Sequence, residues 1–201
     1  MRILSKLFSR KPGASAPAGP DDRGSYPSEG SAAADRAAEL LSAPSAALQL
    51  GRDEARQVVA YMRPLRISEG TTFIREGDTK HTDFMLLLLE GQVTIETIVV
   101  SRTEPITVTV LGPGSLIGEM GLLDGEPRSA SCTAMSELRC AILTRNALNR
   151  LLQDHPQTAA KLMMAVSLRI AERMRECQDK LKLYAQLTQA MNEEIHALMP
   201  H

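Results

Sequence analysis

Gly118-Glu119-Met120-Gly121-Leu122-Leu123-Asp124-Gly125-Glu126-Pro127-Arg128-Ser129-Ala130 reads as a seat for one small phosphorylated molecule. Gly114 and Gly118 flank a short apolar run, and Glu119 opens a single helical turn. The first amides of such a turn lack intrahelical partners and point outward, so they can hold an anion. Arg128 offers a planar fork of donors suited to two phosphate oxygens. Ser129 adds a hydroxyl and Ala130 an amide. Glu119 is the odd member, because a carboxylate beside a phosphate repels it unless it accepts a hydrogen bond from a hydroxyl on the same ligand. A ribose 2′-hydroxyl next to a cyclic phosphate meets that need. The candidate binding set within the stretch is therefore Gly118, Glu119, Met120, Arg128, Ser129 and Ala130. The bland alternative for Arg128 is a surface salt bridge to Asp124 or Glu126, and for Glu119 a carboxylate that complements the local helix dipole.

The spacing, Gly-Glu-x-Gly-Leu followed after a few residues by Arg-Ser-Ala, resembles the phosphate-binding cassette of cyclic nucleotide-binding domains. The resemblance runs from about Leu50 to about Ala197, through Phe73-Ile74-Arg75-Glu76-Gly77-Asp78 and Leu89-Glu90-Gly91-Gln92-Val93. It implies a mainly β fold with accessory helices: a double-stranded β-helix jelly roll, the cyclic nucleotide-binding β-roll, followed by a long C-terminal dimerisation helix. It also implies cyclic AMP or cyclic GMP as the ligand, with no separate cofactor.

The residues outside the cassette fit that outline. The 201 residues leave room for one domain with appendages. A net charge of −1 gives no global attraction to nucleic acid. The widely spaced Cys132, Cys140 and Cys177 suit small core residues in a reducing cytoplasm better than a disulfide or metal framework. His81, His155, His196 and His201 show no ligand spacing, and no catalytic constellation is visible. No run approaches the ~18 apolar residues that span a bilayer.

Along the chain, residues 1–34 form a basic, then Pro-, Ala- and Gly-rich segment expected to lack order. Within it, Ile3, Leu4, Leu7 and Phe8 share one helical face beside Arg2, Lys6, Arg10 and Lys11, a pattern for weak contact with a membrane surface or partner. The alternative is a frayed basic tail. Residues 35–50 read as a helical linker broken near Pro44. The roll is assigned to 51–156. A helix over 52–62, with Val58, Val59 and Met62 inward, is ended by Pro64. Strands follow over 65–67, 72–74, 84–89, 93–100 and 106–111, punctuated by Glu69-Gly70, Glu76-Gly77-Asp78, Glu90-Gly91 and Gly112-Pro113-Gly114. Residues 130–134 and 138–143 complete the roll, and Thr144 is a good N-cap for a helix over 145–152.

Residues 157–201 form the last unit, a helix to about Leu198. Met163, Ile170, Met174, Cys177, Leu181, Tyr184, Met191, Ile195 and Leu198 step by threes and fours, with Ser167 and Thr188 as polar exceptions. That seam lasts about five heptads, the pattern of a coiled coil. The family resemblance implies a parallel homodimer through it. In cyclic-AMP receptor proteins this helix also supplies hydroxyl residues to the base. Cys177 and Gln178 fall at those places, which leaves the base open. Receptor proteins usually continue into a helix-turn-helix domain. No basic recognition helix follows here, so direct DNA binding is not expected. The outline is thus a non-enzymatic cytoplasmic sensor that signals to an unidentified protein partner. Three alternatives stay open: a ligand-free dimeric scaffold, a cyclic dinucleotide binder, and a transcription regulator whose DNA contacts come from another chain.

Overall fold

The computed structural model describes residues 32–42, 50–97 and 106–198. The basic segment 1–11, most of the linker that follows it, and the break near Pro44 lie outside the described residues. Thirteen elements follow in order. Helices α1 (Ala32–Ser42) and α2 (Arg52–Ala60) precede strands β1 (Arg63–Ile67), β2 (Thr72–Ile74), β3 (Phe84–Glu90), β4 (Val93–Thr97), β5 (Ile106–Leu111) and β6 (Leu116–Ile117). Helix α3 (Glu119–Asp124), strands β7 (Ser131–Ala134) and β8 (Leu138–Thr144), and helices α4 (Arg145–Asp154) and α5 (Pro156–Leu198) complete the described residues.

The strands form two four-stranded antiparallel sheets, ordered β1-β8-β3-β6 and β2-β7-β4-β5. This is the expected β-roll with its long C-terminal helix. Phe84-Met85-Leu86-Leu87-Leu88-Leu89 is buried throughout, because β3 lies inside with cover on both faces. Phe84, Leu86 and Leu88 face the interior between the sheets, with Val93, Ile117, Cys132, Leu138 and Cys140. Met85, Leu87 and Leu89 point the other way, into a second core with Leu41, Val58, Leu148, Leu151 and Leu162 from the helices and Met62 after α2. A strand with two covered faces reads as a continuous apolar run instead of an alternation.

Several boundaries move. α2 stops at Ala60, where the Tyr61 N–H donates to the Val58 carbonyl and the Met62 N–H to the Val59 carbonyl. Pro64 therefore does not end the helix, but sits inside edge strand β1, where its missing N–H is tolerated. The helix placed in the linker begins at Ala32, ahead of the expected start, and buries Ala37, Ala38 and Leu41. β6 has only two residues, too short for a pattern. Thr144 caps α4 as expected, its hydroxyl accepting from the Ala147 N–H at 3.2 Å.

α5 has 43 residues, a rod about 64 Å long at 1.5 Å per residue. Its first turns belong to the helix-side core through Thr158, Ala159, Leu162, Ala165 and Val166, all buried. Polar ties hold the same end to α2, where Thr158 donates to Gln57 at 2.6 Å and Lys161 pairs with Glu54, and Tyr61, just past α2, donates to Asp154 at the end of α4 at 2.6 Å. Within the expected seam, Met163 and Ile170 pack on the roll, whereas Met174, Cys177, Leu181, Tyr184, Met191 and Ile195 are exposed. No helix among the described residues is long and apolar enough to cross a membrane.

Candidate functional site

The cassette begins where β6 ends. Gly118 adopts φ 82°, a left-handed conformation that costs other residues energy, and turns the chain into α3. An added Cβ at Gly118 would lie 2.8 Å from Arg128 Nη1 and 3.3 Å from the Phe84 carbonyl oxygen. At Gly121, one turn on, it would lie 2.9 Å from the same nitrogen. Two glycines thus clear the space that the guanidinium fills.

Arg128 is 5% exposed and Glu119 is 3% exposed, two buried charges flanking one short helix. Arg128 makes no salt bridge to Asp124 or Glu126. Its Nε donates to the His81 carbonyl at 3.0 Å, Nη1 to Gly118 O at 2.7 Å and Nη2 to Phe84 O at 3.0 Å. The guanidinium also lies 4.6 Å from the centroid of the Phe84 ring, a cation–π distance. A guanidinium has five N–H donors, and three are engaged here, leaving one on each terminal nitrogen. The Arg128 backbone joins in, its N–H donating to Asp78 O at 3.0 Å and its carbonyl accepting from Gly77 N–H at 2.8 Å. Burial pulls the Arg128 pKa downward, and neighbouring groups including Asp83, Asp78 and Glu119 oppose the shift.

Glu119 finds its partner far along the chain. Arg173 of α5 donates through Nη1 to Glu119 Oε1 at 2.7 Å and through Nη2 to Leu116 O at 3.1 Å. Arg128 does not face the carboxylates of the stretch alone, because a second guanidinium arrives from the long helix. Its signal lay one helical turn before Cys177, outside the apolar positions that define the seam.

The remaining candidates sit differently. Met120 and Ser129 are exposed and Ala130 is half-buried. Ser131, not Ser129, engages the neighbouring turn, its hydroxyl accepting from Glu76 N–H at 3.0 Å. Cys177 and Gln178 lie one turn beyond Arg173 and are exposed within the single chain, while hydrogen bonds join Gly118 to Arg128 and Glu119 to Arg173. Cys132 sits in the roll interior, and burial pushes its thiol up to about 12. Cys177, unlike Cys132 and Cys140, is not a core residue. His81 pairs with Asp78 at 3.1 Å. No metal-binding group of His, Cys, Asp and Glu occurs among the described residues.

Residues 64–155 match the family model of the Cyclic nucleotide-binding domain. That segment holds the strands of the β-roll and the cassette, so the match and the fold coincide over it. The chain is 27% identical over 109 residues to a CRP-like cAMP-activated global transcriptional regulator of Mycobacterium tuberculosis, covering 54% of this chain and 47% of the relative. It is 29% identical over 150 residues to a cyclic AMP receptor protein of Thermus thermophilus, covering 75% of this chain and 66% of the relative. It thus spans about half of the first relative's length and just under two thirds of the second's. A crystal structure of a cyclic nucleotide-binding domain from Methylobacillus flagellatus KT superposes with a TM-score of 0.66 at 29% identity, covering 75% of this chain and 85% of that one.

Proposed function

We propose that this chain is a non-enzymatic sensor that binds a cyclic nucleotide, cyclic AMP foremost, and signals as a parallel homodimer through α5 to a protein partner. The observation that carries the reading is the pair of buried opposite charges, Glu119 at the start of α3 and Arg128 four residues past its end. Burying both is costly without a purpose or full compensation. A ligand with one phosphate anion and an adjacent hydroxyl suits both: the anion takes the spare Arg128 donors, and the hydroxyl donates to Glu119. The matched regulator and receptor protein, both named for cyclic AMP, support that nucleotide over cyclic GMP or a cyclic dinucleotide. The exposed seam of α5 supports a second copy as its cover. Its link to Glu119 through Arg173 gives ligand binding a route to the helix.

The test is calorimetric titration with cyclic AMP and cyclic GMP, beside Arg128→Ala and Arg128→Lys. Saturable binding that weakens at least tenfold in both variants is expected, since a charged hydrogen bond contributes roughly 1.5–3 kcal/mol. Unchanged affinity in Arg128→Lys would remove the site assignment. A second reading, a ligand-free scaffold, draws on the three carbonyls that already hold Arg128. It predicts no heat and no shift in melting temperature with any cyclic nucleotide.

A further inference from the structure

Two arginines grip the same two chain segments. Arg128 binds the carbonyls of His81 and Phe84 in one segment and of Gly118 in the other. Arg145, the first residue of α4, repeats the pattern from the opposite element. Its backbone N–H donates to Asp83 O at 2.7 Å, and its Nη2 donates to Gly121 O at 3.0 Å. The first amides of a helix have no intrahelical acceptor, so fixing Arg145 to Asp83 costs α4 nothing. The side chain then reaches the cassette helix. Gly121 therefore lies between two guanidiniums: Arg128 occupies the space beside its Cα, and Arg145 holds its carbonyl.

The two grips differ in one respect. Arg128 holds the segments with donors of the same guanidinium that a bound phosphate would recruit. Arg145 holds them with a backbone amide and a terminal nitrogen that the proposed anion does not use. If the ligand draws Arg128 away from Gly118 or Phe84, Arg145 still ties Gly121 of α3 to Asp83, just before β3.

We propose that Arg145 is a positioning residue for the cyclic nucleotide site, holding α3 in register with residues 81–84 when a phosphate engages Arg128. This rests on the function proposed above. The test combines hydrogen exchange with ligand dissociation in the full chain, using cyclic AMP as the probe and Arg145→Ala, Arg145→Gln and Arg145→Lys as variants. Without ligand, Arg145→Ala should raise exchange about tenfold over residues 119–125, the scale of one lost charged hydrogen bond, and leave residues 84–90 protected. With cyclic AMP, affinity should fall about tenfold, mainly through faster dissociation, and Arg145→Lys should recover part of both effects. A purely structural residue would shift melting temperature without changing the dissociation rate of the folded fraction. Unchanged exchange over 119–125, or raised exchange with unchanged dissociation, overturns the proposal. If the unsubstituted chain binds no cyclic nucleotide, the sensor reading falls, and the grip on α3 is then judged by exchange alone. Should Arg145→Ala fail to fold, Arg145→Gln and Arg145→Lys decide by the same criteria.

Discussion

Arg173, midway along α5, donates to the buried carboxylate of Glu119 at 2.7 Å, joining residues 54 positions apart in sequence. Arg173 keeps 43% of its side-chain exposure while Glu119 keeps 4%. The pair is asymmetric: Arg173 can reach water when it lets go, and Glu119 cannot. Releasing it therefore costs mainly on the Glu119 side.

Arg173→Ala should consequently destabilise the chain by about 1–3 kcal/mol, less than a fully buried pair because half of this one is wet. Glu119→Gln added to that variant should restore part of the loss, since it removes the stranded charge. Urea unfolding of both singles and the double gives the coupling energy. Additive losses would mean that the ion pair carries no interaction energy.

Gly118→Ala and Gly121→Ala test the space around Arg128. Both place a methyl group within 3 Å of Nη1, and Gly118 adds the strain of a positive φ. Gly118→Ala should cost about 1–2 kcal/mol or more. Gly121→Ala should push the guanidinium off Gly118 O and weaken cyclic AMP binding, although alanine favours the helix itself. Calorimetric titration and thermal melts separate the two effects.

The thiols should divide by burial. Burial pushes Cys132 and Cys140 up to about 12, so neither supplies thiolate to an alkylating reagent at neutral pH. Cys177 is exposed on α5 and should be the site modified in the native chain. If α5 pairs with a second copy, its labelling should slow as protein concentration rises. Mass spectrometry of native samples over a dilution series reads both effects.

Asp78 should give an acid-side signature. The Lys80 backbone N–H, and then the His81 side chain, hold its carboxyl below the ordinary aspartate value of 3.8. A depressed folded pKa contributes stability above the ordinary value, which is lost as pH falls through the folded one. The turn tied to the Arg128 backbone should therefore loosen only below about pH 4. Asp78→Asn should abolish the difference in protection, measured against intrinsic exchange at each pH, between neutral and acid conditions at residues 77–81.

The β-roll was legible because its signals are local: glycine turns at short intervals, a strong cap at Thr144 and a seam sustained along α5. The cassette was legible because Gly118, Glu119 and Arg128 fall within one short stretch. What was hidden depends on distance. Arg173 reaches Glu119 only once α5 has folded back over β6, and heptad reading directs attention to apolar positions. The carbonyls that hold Arg128 belong to backbone, which no side-chain pattern announces. Pro64 marked a boundary, but the helix had already closed at Tyr61, since edge strand β1 could take the proline.

β3 is a party wall. Its alternate side chains belong to two cores, and its first carbonyl, at Phe84, is an acceptor of Arg128. A side chain trimmed on the helix side would therefore be felt inside the roll. A ligand that moves Arg128 tugs on a strand whose other face lies in the core shared with α1, α2, α4 and α5. Such a strand has no neutral position for natural variation to explore. Drift in this chain should thus collect in the turns around β3 and leave its six apolar residues interchangeable only with others of like volume.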